Sequence, residues 1–230
     1  MLVDIHVHTM VSSPCSQIDP LNLVDYAARM GLDAVCVTEH EDMEGAEVAR
    51  DLGLRRGFRV FRGVEVYTEF GDMLVFGLYR PRFPWKMEFA ELVREVRSAG
   101  GAIIPAHPCR SDRGFFERLG DEKAGYLLGN VDALEVLNGG NTPEANRLAM
   151  AVAEKYGLPQ VGGSDAHLLV QVGRCVTLFE REFDTEEELV EEIRAGRCRP
   201  FYDHQLPELG RAGAWRPAAR GSGGGGVVPD

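Results

Sequence analysis

Short β-branched runs alternate with helix-patterned segments along most of this chain, and that rhythm limits the folds open to it more than any other feature. Leu2-Val3-Asp4-Ile5 has the character of a strand. Asp19-Pro20 then offers an N-cap and a proline for the first helical position, ahead of apolar Leu21, Val24, Ala27 and Ala28, with Gly31 as the stop. Residues 33–38 read as the second strand and 44–52 as the second helix; 58–61 and 63–66 follow as strands, and 72–79 is apolar and β-prone. The spacing of Phe89, Leu92, Val93 and Val96 predicts a helix over 86–99, ended by Gly100-Gly101. Buried-strand runs at 102–105 and 131–137 precede a helix from Pro143 to Tyr156 and short strands at 160–163 and 176–179. Thr185 caps a last helix whose first turn carries Glu186, Glu187 and Glu188, where acidic groups suit the helix dipole.

Regular alternation with short connections argues for a mostly parallel sheet with helices outside. About seven such units in roughly 200 residues point to an α/β chain closed into a barrel, not an open doubly wound sheet. The first loop also lacks the G-x-G-x-x-G of a dinucleotide fold. One barrel domain is expected over 1–206. Residues 207–230, with Gly-Arg-Ala-Gly, Arg-Pro and a glycine tract at 221–226, read as a flexible tail.

Charge and cysteine usage narrow the partners. With 25 basic and 36 acidic residues the formal charge is −11, so the chain has no broad electrostatic footprint for nucleic acid or anionic lipid. Neither long duplex nucleic acid nor a membrane is an expected partner. No apolar run approaches the roughly 18 residues of a membrane span, and Met1-Leu2-Val3-Asp4 lacks the pattern of a signal peptide. The five cysteines, 15, 36, 109, 175 and 198, are scattered without a C-x-x-C. They read as free thiols in a reducing compartment, which makes the cytoplasm the expected location.

Of the six histidines, five follow expected strands. His6 and His8 form an H-x-H after the first, His40 follows the second, His107 follows Ile103-Ile104-Pro105-Ala106, and His167 closes Gly163-Ser164-Asp165-Ala166-His167. Glu65 ends another apolar run. In a β/α barrel the carboxyl ends of the strands surround one mouth, so residues far apart in sequence converge there. Imidazole and carboxylate are good ligands for zinc, manganese and iron. On an extended strand both rings of an H-x-H face one side and can share an ion, and Asp165-x-His167 repeats that geometry. A carboxylate such as Glu65 can also bridge two ions, and paired metals are a known device for phosphoryl transfer to water.

The ordered set Asp4-x-His6-x-His8-Thr9, Thr38-Glu39-His40, Gly63-Val64-Glu65, Ala106-His107-Pro108 and Gly163-Ser164-Asp165-Ala166-His167 resembles the PHP family, the polymerase and histidinol phosphatase domain. The likeness runs from residue 4 to about residue 200. It implies a distorted (β/α)7 TIM-like barrel with two or three divalent ions (Zn, Mn or Fe) at the strand ends, and hydrolysis of a phosphate ester by a metal-activated water. Only 41 residues separate Glu65 from His107, which leaves no room for the large inserted domain of some relatives. The resemblance implies that His6, His8, Glu65 and Asp165 hold one metal, that Glu65 and His107 share a second, and that His40 and His167 contribute to a third. His167 or His40 is the candidate general acid where the third metal is missing.

The chain departs from the family pattern in three places. Asp72 stands where many relatives carry a histidine; as a harder ligand it would favour manganese or iron. Ser12-Ser13-Pro14-Cys15 replaces a loop in which relatives have His or Asp, with Asp19 better explained as an N-cap and Cys15 as a loop thiol. Glu39 stands where the family often has Asp, and is expected to orient an imidazole from behind. For the substrate phosphate, Arg110 in His107-Pro108-Cys109-Arg110 resembles a family arginine that contacts phosphate, with Arg113 a weaker candidate. Asn138, before Gly139-Gly140, sits at another strand end and could bind substrate. The expected substrate is a small-molecule phosphate ester or a short nucleotide, with a histidinol-phosphatase-type activity as one option. An amidohydrolase-like hydrolase would need a carboxylated lysine on a middle strand, and Lys86, Lys123 and Lys155 do not occupy such a place. A metal-binding module without catalysis is the non-enzyme alternative.

Overall fold

The computed structural model describes residues 1–110 and 119–205. The expected tail at 207–230 and Arg113 lie outside the described residues. Within them the chain runs β1 (Leu2–Val7), α1 (Pro20–Arg29), β2 (Ala34–His40), α2 (Glu44–Arg56), β3 (Arg59–Thr68), β4 (Gly71–Phe76), α3 (Phe89–Ala99), β5 (Ala102–Pro105), α4 (Asp121–Leu128), β6 (Leu134–Asn138), α5 (Pro143–Tyr156), β7 (Gln160–Gly163), β8 (Cys175–Phe179), α6 (Glu186–Arg194) and β9 (Cys198–Tyr202). The helix starts follow local chemistry. The Asp19 carboxylate accepts from Leu21 N and Asn22 N ahead of Pro20, Thr142 caps Pro143, and Thr185 and Glu188 cap each other in a capping box.

Seven strands form one sheet, curled into a half-barrel, in the order β5-β4-β3-β2-β1-β8-β9, and β6 pairs with β7 beside it. This is a distorted TIM-like barrel, as the motifs imply. The sheet is less parallel than the alternation suggests. β1, β2 and β3 are parallel neighbours and so are β6 and β7, but β4 runs antiparallel to both β3 and β5, and β8 antiparallel to β1 and β9. The reason is connection length. Only Glu69 and Phe70 separate β3 from β4, too few for a crossover helix, so the chain turns back as a hairpin. The two expected strands at 58–61 and 63–66 are one strand, because Gly63 continues the pairing to Phe76.

Buried apolar side chains pack on both sides of the sheet, with Val64, Met73, Phe89 and Ile103 in one cluster and Ile5, Phe76, Ile104 and Phe179 in another. Into this packing β1 sends two buried polar side chains, Asp4 and His6. No helix among the described residues is long and apolar enough to cross a membrane.

Candidate metal centre

β1 ends at Val7 and its H-x-H turns two imidazoles toward one point, their planes tilted by 60°: His6 Nε2 and His8 Nε2 are 3.0 Å apart, and both residues are wholly buried. β3 brings Glu65 beneath them, with Oε1 3.5 Å from His6 Nε2 and Oε2 3.4 Å from His8 Nε2. The loop after β7 brings Asp165, whose Oδ1 lies 3.5 and 3.4 Å from the same two nitrogens. From β5, His107 Nε2 approaches Glu65 Oε1 at 3.1 Å and Asp72 Oδ2, on β4, at 3.8 Å. His40 Nδ1 meets Glu65 Oε2 at 3.0 Å. The rings of His40 and His167 lie 4.4 and 4.5 Å from that of His8. Every histidine and acid in the sequence-derived metal set therefore lies in one cluster. It resolves into overlapping groups: His6–His8–Glu65, His6–His107–Asp165, Glu65–Asp72–His107 and His8–His40–His167, each with ligand atoms within 4.8 Å of one another.

The donor chemistry fits divalent ions. Where Glu135 Oε1 takes the proton of His6 Nδ1 at 3.0 Å, Nε2 is left as a lone pair facing two carboxylates and another imidazole. These atoms converge as acceptors, an arrangement that a cation satisfies and that is otherwise costly in a buried setting. The field has the same sign. Burial opposes charging His6, yet Glu135, Asp165 and Glu65 together hold its pKa well above the ordinary imidazole value. Glu65 and Asp165 are held well below the carboxylate range despite burial, chiefly by His6. His8, desolvated, is pushed down to about 4, which keeps a lone pair available. His107 Nδ1 is buried without a hydrogen-bond partner among the described residues, so that ring is placed by its Nε2 contacts.

Behind these groups stands a layer that the sequence reading only partly anticipated. Glu135, on β6, touches His6 Nδ1 with one oxygen, and with the other accepts from His107 N at 2.7 Å and Asn138 Nδ2 at 2.9 Å. It is thus the carboxylate that orients an imidazole. Glu39, expected in that role, does not reach a ring. Its carboxylate accepts from Thr9 N and from the hydroxyls of Thr9 and Ser13, because the loop after His8 folds over it. Only through Ser13 Oγ, 3.3 Å from His8 Nδ1, does it bear on a histidine. Asp4 accepts from Ser164 N and Gly173 N and ties β1 to the Asp165 loop; burial pushes its pKa up to about 6. Gly163 permits this closeness: a Cβ there would stand 2.4 Å from His6 Cβ and 2.8 Å from Glu135 Oε1.

Arg110 lies at the edge of the cluster. Its Nη2 donates to Asp165 Oδ2 and Asn138 Oδ1, and its Nε to Asn141 Oδ1. Asn138 is held in turn by Asn146 of α5, whose amide bonds both its N and O; sequence reasoning did not single out Asn146 or Asn141. A Cβ at Gly140 would meet Arg110 Nη2 at 2.8 Å, which is the close approach expected of Gly139-Gly140. Arg110, His40, His167, Asp165 and Cys15 line one open cavity of about 890 Å³ at the mouth. Lys86, Lys123 and Lys155 are all exposed, and none belongs to these groups.

The backbone records the same site. Among the described residues, four non-glycine residues have positive φ: Glu41, Lys86, His107 and Asp165. His107 and Asp165 carry site side chains and Glu41 follows His40. Such conformations persist where the surroundings over-determine them, often at functional sites.

Comparison with known proteins gives a consistent picture. The model of the PHP domain matches residues 4–167, and that of the PHP-associated region matches 143–198. An uncharacterized protein of Methanocaldococcus jannaschii, MJ0417, is 28% identical over 185 residues, covering 78% of this chain and 70% of its own. Among solved structures, a two-domain protein from Bacteroides vulgatus containing a predicted PHP-like metal-dependent phosphoesterase superposes with a TM-score of 0.71 at 21% identity, over 88% of this chain and 64% of that one. The lesion-specific endonuclease PfuEndoQ from Pyrococcus furiosus superposes with a TM-score of 0.61 at 18% identity, over 85% of this chain and 56% of that one.

Proposed function

The chain belongs to the PHP family and is a hydrolase, a metal-dependent phosphoesterase; we propose that its substrate is a phosphate ester of a small molecule or short nucleotide, presented in the cavity between His40, Arg110 and His167. The observation that carries this reading is the convergence of His6, His8, Glu65 and Asp165 as acceptors, with a guanidinium anchored at its edge. Such a pairing suits a phosphoryl group, whose oxygens need positive charge on one side and directed N–H donors on the other.

We assign His6, His8, Glu65 and Asp165 to one ion, Glu65, His107 and Asp72 to a second, and His8, His40 and His167 to a third. The ions supply, when bound, a water acidic enough to attack phosphorus near neutral pH and positive charge opposite the phosphoryl oxygens. The remaining work falls to the chain. Glu135 holds His6 in one tautomer and anchors the turn that starts at His107. Asp165, Asn138 and Asn141 fix the plane of Arg110, so that the arginine orients the substrate phosphate. His167 Nδ1 faces the carbonyl of Asp165 at 2.9 Å and must donate there, so its Nε2 is the atom that would ligate an ion as a neutral ring or carry the transferable proton as an imidazolium. Should the third group hold no ion, His40 and His167 are the cavity groups placed to protonate the leaving oxygen. Asp72, a harder ligand than imidazole, favours manganese or iron over zinc. Asn138 acts on substrate through Arg110, and Glu39 acts on His8 through Ser13.

A panel of phosphate esters assayed with manganese tests the reading. Turnover is expected, and Arg110→Ala should lower kcat/KM about a hundredfold, the scale of losing one directed donor to a transition-state oxygen, with metal content retained. A stoichiometrically metal-loaded protein that hydrolyses no phosphate ester would instead point to a binding module. Wild-type turnover in Arg110→Ala would remove the arginine from the account.

A further inference from the structure

On the β3–β4 side, beyond the strand end that carries Glu65, two aromatic rings are stacked, Tyr67 half-buried and Trp85 exposed. Tyr67 and Trp85 lie with ring centroids 5.1 Å apart and planes 29° from parallel. Trp85 is 75% exposed, the most exposed large apolar side chain among the described residues. Leaving an indole in water forgoes the burial that normally places this side chain, so its position calls for an explanation other than packing.

The strand register places the pair next to the metal centre. Tyr67 follows Glu65 by two on β3, so its side chain leaves the sheet on the face that carries Glu65. It sits directly opposite Asp72 on β4, and opposite residues of an antiparallel pair share a face. Tyr67 is therefore one step outward from the Glu65–Asp72–His107 group. The 81–88 segment that carries Trp85 is pinned across the strand ends. Phe83 N donates to Glu41 O, Glu41 Oε1 accepts from Tyr67 N, and Met87 N donates to Tyr67 O. Phe83 and Met87 are buried on either side of exposed Trp85, and Lys86 between them takes a left-handed φ of 56°. Three of the four such residues border the metal cluster; the fourth adjoins this indole.

We propose that Tyr67 and Trp85 form a stacking platform for a nucleobase carried by the substrate, so that the phosphate ester hydrolysed here is a nucleotide or the end of a short strand. The inference rests on the phosphoesterase reading of the adjacent centre and adds the leaving-group side to it. A planar, weakly hydrated ring stacks on an indole without needing a closed pocket, and every base offers such a face. Lys86 beside the indole adds a cation of the sign a nucleotide requires. A sugar phosphate without a base would have nothing to place on this shelf.

The test uses the metal-loaded full chain bearing Trp215→Phe, which leaves Trp85 as its one tryptophan. Adenosine 5′-monophosphate should quench Trp85 fluorescence saturably, and ribose 5-phosphate should not. A 5′-phosphorylated trinucleotide run in parallel distinguishes a mononucleotide from a strand end, and quenching by either supports the platform. In steady-state assays, Trp85→Ala should raise KM for the mononucleotide about tenfold or more, leave KM for ribose 5-phosphate within about twofold, and be largely rescued by Trp85→Phe. No quenching, or equal quenching by both ligands, overturns the platform. Base-selective quenching without any turnover would keep the platform and reject the phosphoesterase reading. Turnover of both esters with Trp85→Ala indifferent would do the reverse.

Discussion

The two ends of the histidine cluster are built differently. His6 and His8 are wholly buried, and each ring is braced from behind, His6 by Glu135 and His8 by Ser13, which Glu39 holds. The side chains of His40 and His167 are each 28% exposed at the cavity, and both lean on groups of the cluster itself, Glu65 and Asp165. The inner end is rigid before any ion arrives, because strand packing and a buried carboxylate set its geometry. On the proposed reading, the outer end is where solvent, substrate and a third ion would meet. Affinity for metal should therefore reside in the inner end and turnover should depend on both.

The harshest way to break that comparison is to delete an inner ligand. His6→Ala or Asp165→Ala should abolish turnover and metal content together, beyond the roughly 10–100-fold that loss of an outer-shell partner costs; metal analysis beside a phosphate-release assay checks it. Glu135→Gln keeps the shape and removes the charge behind His6, and should weaken metal binding about 10–100-fold in a chelator-competition titration. His167→Ala should remove no more than one ion per chain and lower kcat while the inner ions stay bound. A loss of all metal from that variant would erase the distinction between the two ends. Gly163→Ala should destabilise the fold by about 1–3 kcal/mol in denaturant titration, since its new methyl overlaps His6 in a packed interior. The smallest effect sharpens the contrast by access alone. A thiol reagent should titrate Cys15, exposed at the outer end, rapidly, while buried Cys36, Cys109, Cys175 and Cys198 react only on unfolding. Cys15→Ser should remove the fast phase and leave the inner end untouched.

Much of this was legible in the chain because strand ends and helix caps are local features. His6, His8, Glu65, His107 and Asp165 each follow a recognisable apolar run, and Asp19 and Thr185 are caps whose partners lie within three residues. Glu135 was not legible as a site residue. In Leu134-Glu135-Val136-Leu137 it has the period of a strand with one wet face, and only the tertiary fold, which sets Glu135 against His6 and His107, makes that face dry. Glu39 stands beside His40 in sequence, yet its carboxylate bears on an imidazole through Ser13 Oγ, which faces His8 Nδ1, a link that only the folding of the loop after His8 creates. β9 was missed because Pro200 interrupts it, and the structure puts that strand at the sheet edge, where proline is tolerated. Gly125 similarly weakened the signal of α4. The antiparallel course of β4 depended on how few residues separate it from β3, which apolar patterning does not weigh. Tyr67 and Trp85 are 18 positions apart in sequence and meet only through the pinned 81–88 segment.

The central claim is that one buried cluster holds divalent ions and that phosphoester hydrolysis needs them. The direct measurement is metal content against turnover for the wild-type chain as purified, after exhaustive chelation, and after adding back manganese. The account predicts ions bound in stoichiometric amount, activity lost on chelation in step with them and restored on re-addition, with no restoration in His6→Ala. Full phosphoester turnover in the chelated, metal-free protein would contradict it.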